Sequence, residues 1–255
     1  SGLPIDRGIG NSWGDYNNDG YVDCLVAAAG IYGSRLFKNN GDGTFSQNVN
    51  ADLSDPTKLR GFGISFSDIN NDNRLDFVIA GPYLFLGIPD GNKLLVNNGN
   101  ENFSRNYSTP ITDTLDAYTV PTWSDYDNDG DLDCVVINDY GQMNKYYESN
   151  ISAGSTVFKA ITAGKPFTQF VGGHFTATTG DYDNDGDLDL YVNGYDEDRG
   201  LYQNLRNQAE NKNNWAIVKL TGTASNRSAI GAKVRVKAKI NGKYVWQMRE
   251  VSAQN

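Results

Sequence analysis

The chain has 255 residues, a formal net charge of −9, 38% hydrophobic residues, 28 Gly, two Cys and one His. That length can bury a sizeable core in one large domain or two small ones. No apolar run reaches the roughly 18 residues of a membrane span, and an acidic body argues against nucleic acid. One His leaves no HExxH zinc site, and GxSxG, CxxC and P-loop motifs are absent too. The chain opens at Ser1 with no Met and no signal peptide, which fits a processed or trimmed chain.

The first element of note is the stretch DYNNDGYVD, Asp15–Asp23. It returns as DINNDNRLD at Asp68–Asp76 and as DYDNDGDLD at Asp125–Asp133 and Asp181–Asp189, with starts 53, 57 and 56 residues apart. A fixed period of this size predicts a repeat architecture. Position 1 of the nine is Asp15, Asp68, Asp125 and Asp181; position 3 is Asn17, Asn70, Asp127 and Asp183. Position 5 is Asp19, Asp72, Asp129 and Asp185; position 9 is Asp23, Asp76, Asp133 and Asp189. Alternating oxygen side chains in a tight turn can converge on one hard cation, and Ca²⁺ accepts six to eight carboxylate and carbonyl oxygens. The backbone carbonyl of position 7 (Tyr21, Arg74, Asp131, Asp187) would be a further ligand.

Position 6 is Gly20, Gly130 and Gly186, with Asn73 in the second copy. A sharp turn needs positive φ there, which Gly accepts freely and Asn tolerates next best. Position 12 is Val26, Ile79, Val136 and Val192, where an EF-hand needs a bidentate Glu. Asp/Asn/Gly turns are common without metal. Four copies with matched oxygens repel strongly without one, by a few kcal/mol per pair about 4–5 Å apart. The expectation is about four structural Ca²⁺ sites, which would bring the charge from −9 to −1. Mg²⁺ fits less well because it keeps several waters.

Each loop leads into a short apolar run: CLVAAA, FVIAG, CVVIND and LYVNG. These predict buried strands. Hairpins follow at 34–47 and 92–106, each with an Asn-Gly turn, and a third with a longer turn is expected at 143–161. The fourth repeat has RGLYQNL at 199–205. One repeat is therefore about four strands, and four-stranded sheets repeated radially make a β-propeller. Cys24 and Cys134 hold equivalent repeat positions, so a disulfide between them is not expected. His174, in VGGHFTATTG, is expected to pack or hydrogen-bond; Trp13 and Trp123, two residues before their loops, are expected to fill the wedge between blades.

The Asp-rich loops resemble FG-GAP/VCBS repeats, the calcium-binding blades of integrin-α-like propellers. GFGIS with Phe62-Gly63 and IAGPY with Ala80-Gly81-Pro82 carry the likeness in the second repeat. The resemblance implies all-β propeller blades over 1–210, with repeats at about 8–55, 60–110, 117–165 and 172–210. Residues 211–255 resemble a truncated ASPIC/UnbV module of the cartilage-acidic-protein-like family. Trp215, Ser225-Asn226-Arg227, Ile230-Gly231-Ala232 and Arg249-Glu250-Val251-Ser252-Ala253 carry that match. The segment holds nine Lys/Arg and one acid, leaving −17 on the remainder. Family propellers have about seven blades and four are visible here. Three arrangements are open: a small ring, a part of a larger propeller, which is preferred, or an arc whose edges other chains cover.

In AKVRVKAKI, Lys233, Arg235, Lys237 and Lys239 alternate with apolar residues, which puts four cations on one strand face. That stripe is either solvated or a seat for an anionic glycan or protein. Sequons at Asn102, Asn106, Asn150 and Asn226 mean little in so Asn-rich a chain. The resemblance implies a secreted, cell-surface or periplasmic binding, adhesion or assembly scaffold without catalysis. Weak oxygen-only sites would fill at millimolar extracellular calcium, which favours the same placement. The rivals are a polysaccharide lyase or hydrolase, with His174 and nearby Tyr residues as first suspects, and a structural subunit of an extracellular polymer that self-associates through blade edges or the basic tail.

Overall fold

The computed structural model describes residues 8–28, 33–49, 51–53, 55, 58–81, 91–112, 120–139, 141–152, 155–162, 164, 168, 171–195, 199–205, 215–224, 226–240 and 242–251. The boundary expected near residue 210 lies outside them, as do Pro82, Ser225, Ser252 and Ala253.

Blade 1 is a four-stranded antiparallel sheet of β1 (Gly10–Gly14), β2 (Asp23–Ala27), β3 (Arg35–Asn39) and β4 (Phe45–Asn48), in sequence order. Blade 2 repeats it with β5 (Ile64–Ser67), β6 (Asp76–Ile79), β7 (Lys93–Gly99) and β8 (Asn102–Asn106). Blade 3 has β9 (Val120–Ser124) and β10 (Asp133–Ile137). A short strand β11 (Gln142–Met143) follows, and then β12 (Lys145–Ser152) and β13 (Ser155–Ile161) complete the blade. β11 pairs with β14 (Val171–Gly172), outside the blade sheets. Blade 4 has three described strands, β15 (His174–Gly180), β16 (Asp189–Gly194) and β17 (Gly200–Tyr202). β18 (Lys233–Ile240) and β19 (Lys243–Glu250) form a separate hairpin. The fold is thus nearly all-β, with four blades in a propeller arrangement.

The longer turn expected in the third hairpin is instead a pair of longer strands. Pairing of β12 with β13 runs from Tyr146↔Ile161 out to Ser152↔Ser155. The backbone ladder carries on where the other blades turn.

The second strand of each blade explains the stacking. β2, β6 and β10 are buried at every residue, which is why they read as unbroken apolar runs without alternation. Numbered from the loop start, position 10 and position 12 face the preceding blade, and position 11 faces the next. Leu25 and Ala27 of blade 1 meet Phe77 and Ile79 of blade 2 in one cluster. Val78 meets Cys134 and Val136 of blade 3, and Val135 and Ile137 meet Leu190 and Val192 of blade 4. Blade 4 breaks the pattern: its outward residue is Tyr191, 45% exposed, with Leu201 opposite it and 48% exposed. Cys24 and Cys134 are separate buried thiols in different clusters.

Phe77 is fully buried and packs edge-on against Phe66 and tilted against Phe103, at 5.9 and 5.0 Å between ring centres. Phe77→Ala should lower stability by about 3–5 kcal/mol, read as a shift in denaturant midpoint at unchanged slope. A shift under about 1 kcal/mol would mean that the blade 1–blade 2 wedge is not a core.

The inner strands β1, β5, β9 and β15 line a central cavity of about 940 Å³. Met248, Arg249 and Glu250 of β19 enter its wall together with Asp68 and Asp125 from the loops. The C-terminal hairpin therefore sits on the side of the propeller where the acidic loops converge.

Candidate metal centre

Each acidic loop joins the first strand of a blade to its second, so all four loops project from one face. Backbone conformation accounts for the residue choice. Position 6 has positive φ in every copy, at Gly20, Asn73, Gly130 and Gly186 (91°, 66°, 96° and 88°). Position 4 does as well, at Asn18, Asn71, Asn128 and Asn184 (61°, 55°, 56° and 62°). Two left-handed residues flanking position 5 fold nine residues into a ring with its side-chain oxygens turned inward.

The position-1 carboxylate anchors that ring. Asp125 accepts the N–H of Asp129 and of Gly130, both at 3.0 Å, and Asp15, Asp68 and Asp181 do the same with their own positions 5 and 6. Position 5 accepts the position-7 N–H, as in Asp185 from Asp187 at 2.9 Å. Position 9 is buried in every copy, with Asp23, Asp76, Asp133 and Asp189 at 1% exposure or less. One oxygen of each accepts the position-2 N–H at 3.1–3.2 Å; the other accepts an N–H of the blade's third strand, or in blade 4 of Asn204 just beyond it, at 2.7–2.8 Å. It clasps loop to sheet.

Carboxylate oxygens converge in two loops. Atoms of Asp125, Asp127 and Asp129 lie within 4.8 Å of one another, as do atoms of Asp181, Asp183 and Asp189. These groups could hold an ion, and their donor set of oxygens alone suits a hard divalent cation. Burial makes their ionised forms costly. Burial, with Asp127 adding repulsion, pushes both Asp133 and Asp129 up to about 8. Burial raises Asp125 to about 6 against the pull of Arg249, and raises Asp23 to about 7 and Asp68 to about 6. Asp76 is pushed well above the carboxylate range, again by burial.

A pH dependence follows for the ion-free protein. These groups hold protons in the folded state that they release in the unfolded state above the ordinary value of 3.8. Their contribution is full below that value and is lost as pH rises toward 8. The melting temperature in chelator should therefore fall steadily from pH 5 to pH 8, and excess calcium should flatten the fall. A flat profile in chelator would contradict the burial of these carboxylates.

The position-4 asparagines were not singled out as functional, although Asn stands there in all four copies. Those of the first three loops reach the next loop. Asn18 donates to the Asn73 carbonyl at 3.4 Å, Asn71 to the Gly130 carbonyl at 3.0 Å, and Asn128 to the Asp187 carboxylate at 2.6 Å. The loops are thus cross-linked in series. At position 7, Tyr21 is 49% exposed, whereas the Asp131 side chain is buried and accepts the Ile151 N–H at 2.8 Å.

The tail reaches the same face. Lys233 is not part of a free cationic stripe. Its ammonium lies 3.0 Å from the Asp15 carboxylate and 3.6 Å from Glu250, with its side chain 8% exposed. Arg249 is held among Asp125, Asp68 and Asp131, and Gln247 donates to the Gly130 carbonyl at 3.0 Å. Trp215 lies against Gly186 of the fourth loop. Arg235 and Lys239 are exposed, and Lys237 sits 5.5 Å over the rings of both Tyr244 and Trp246.

His174 is 1% exposed, with its Nδ1 3.2 Å from the Asn144 amide, so it has no access to a polymer. Trp123 does sit between blades, packing on Phe158 and donating to Ser65 of blade 2 at 3.0 Å. Trp13 instead packs on Phe45 of its own blade.

Comparison with known proteins matches the FG-GAP-like repeat over residues 15–79 and 125–192, just over half of the chain. The chain belongs to the FG-GAP-like repeat family. Each matched stretch starts at position 1 of one loop and ends just past the next, so the FG-GAP-like unit coincides with the loop-to-loop period. Cartilage acidic protein 1 of Xenopus tropicalis is 27% identical over 223 residues, 82% of this chain. The chain spans 32% of that relative's length. A solved structure, described as showing specific recognition of non-reducing terminal N-acetylglucosamine by an Agrocybe aegerita lectin, is 21% identical with a TM-score of 0.46. It covers 73% of this chain and 47% of its own, and a likeness of that size carries no inference about ligands. Among the described residues no helix is long and apolar enough to cross a membrane.

Proposed function

We propose that this chain is a calcium-stabilised propeller that serves as a non-catalytic binding or assembly scaffold outside the cell, at its surface or in the periplasm. The observation that carries the reading is the burial of converging carboxylates on one face, with Asp129 and Asp133 both raised to about 8. Buried like charges on this scale are satisfied by a divalent ion. The likeness to a protein named for cartilage and acidity supports an extracellular setting. Residues 211–255 are read as an ASPIC/UnbV-like module docked on the loop face.

The partner is proposed to be anionic, a protein or an acidic glycan, taken by the exposed cations Arg235, Lys237 and Lys239. Lys233 is committed to Asp15 and does not take part. In calcium, the protein should be retained on an immobilised sulfated polysaccharide and elute as salt is raised, since exposed charge pairs are screened within about 8 Å at physiological salt. Arg235→Gln combined with Lys239→Gln should elute several-fold earlier in salt. Retention that survives both the substitutions and high salt would rule out the stripe as the binding surface.

A further inference from the structure

One face of the C-terminal hairpin starts against the propeller and ends in solvent. In the register of β18 with β19, Arg235 lies opposite Met248, Lys237 opposite Trp246 and Lys239 opposite Tyr244. Residues opposite one another in an antiparallel pair share a face. This face therefore carries a column of cations beside a column of large apolar side chains. At its docked end Met248 is buried in the blade 1–blade 2 core, and Lys233, next in the cation column, takes the Asp15 carboxylate at 3.0 Å. The chain thus already pairs the lower end of this face with a carboxylate.

The free end keeps the same two columns. Tyr244 is 70% and Trp246 46% exposed, and Arg235, Lys237 and Lys239 are exposed beside them. The Lys237 ammonium sits 5.5 Å from both ring centres, which ties the two rings into one unit. The side chains of Arg235 and Lys239 have no hydrogen bond or ion pair among the described residues. Burying these cations under an apolar layer is costly, so what covers the face brings anions. It also brings flat apolar surface, to match two rings set about 7 Å apart along one strand.

Those two demands select among polyanions. The acidic side chains of a protein carry charge without a flat apolar face. A single-stranded nucleic acid offers bases to stack, but it places a charge at every nucleotide against an acidic body that holds −17 outside residues 211–255. A pyranose ring has an apolar C–H face and a polar rim, and a polysaccharide that alternates uronate with neutral sugars carries fewer charges per ring. We infer that the free end of the hairpin is a site for such an acidic polysaccharide: sugar rings lie on Tyr244 and Trp246, and uronate carboxylates pair with Arg235 and Lys239. Lys237 positions the two rings. This rests on the reading that the partner of the stripe is anionic, and narrows it to a polysaccharide.

The test is calorimetric titration of the full chain, in millimolar calcium, with three probes matched in charge: a hyaluronan oligosaccharide, oligoglutamate and oligothymidylate. Hyaluronan should bind tightest. Tyr244→Leu combined with Trp246→Leu should weaken hyaluronan by about tenfold or more and leave oligoglutamate unchanged, with circular dichroism checking the fold. Should that pair fail to fold, Tyr244→Leu alone carries the same comparison. Arg235→Gln combined with Lys239→Gln should weaken both probes. Hyaluronan binding that is unchanged by loss of the rings, or oligoglutamate or oligothymidylate bound as tightly as hyaluronan, would overturn the inference and leave an anionic partner standing. No binding of any of the three would overturn the anionic reading itself, and the polysaccharide site with it.

Discussion

Removing calcium should lower the melting temperature by roughly 10 °C or more. At a calcium concentration 100 times the dissociation constant, each site adds about 2.7 kcal/mol of folded-state stability. Two such sites give about 5 kcal/mol, and in a chain of this size 1 kcal/mol moves the midpoint by about 2–4 °C. The structural reason is local. Asp125, Asp127 and Asp129 crowd their oxygens within 4.8 Å, and burial raises Asp129 and Asp133 to about 8. The ion-free folded state must either protonate these groups or bear their repulsion. Differential scanning calorimetry in chelator and in millimolar calcium reads the effect directly. Midpoints that agree within about 2 °C, which is under about 1 kcal/mol, would mean that the loops close without an ion.

Asp76→Ala should destabilise the protein by roughly 3–5 kcal/mol in calcium, and much of that loss should persist in chelator. Asp76 is fully buried, with one oxygen accepting the Ile69 N–H at 3.2 Å and the other accepting the Asn97 N–H at 2.8 Å. A hydrogen bond contributes about 0.5–1.5 kcal/mol, and each buried donor left without a partner costs about 1–3 kcal/mol whether or not the carboxyl was ionised. Asp72→Ala is the matched control. Its carboxylate is 25% exposed and bonds mainly within its own loop, to the Arg74 N–H and guanidinium and to the Asn70 amide. Urea unfolding of both variants, with and without calcium, separates a clasp from a ligand. If Asp76→Ala cost stability only in calcium, position 9 would act through the ion alone.

Much of the fold was legible because the repeat is local. Oxygen residues at alternate positions, a residue that tolerates positive φ at position 6, and an apolar run directly afterwards are all read from a dozen neighbouring residues. The same reading assigned Cys24 and Cys134 to equivalent buried places, where they sit in separate clusters. What escaped depends on partners far along the chain. The asparagines at position 4 are visible in the sequence, but their bonds to the next loop exist only once the blades stack, as in Asn71 with the Gly130 carbonyl. Lys233 reads as one member of an alternating stripe, yet it pairs with Asp15, 218 residues away. Strand periodicity says which face a side chain takes and nothing about what the hairpin will dock against. The third hairpin was misjudged for a related reason. Ser and Thr near residues 152–156 look like turn chemistry, but they also extend a ladder when a long partner strand is available.

Native mass spectrometry of the full chain, exchanged into millimolar calcium and then into chelator, tests the central claim most directly. The account predicts discrete calcium increments on the folded charge states, at least two per chain, that disappear with chelator. A folded chain that keeps its ion-free mass in millimolar calcium would contradict it.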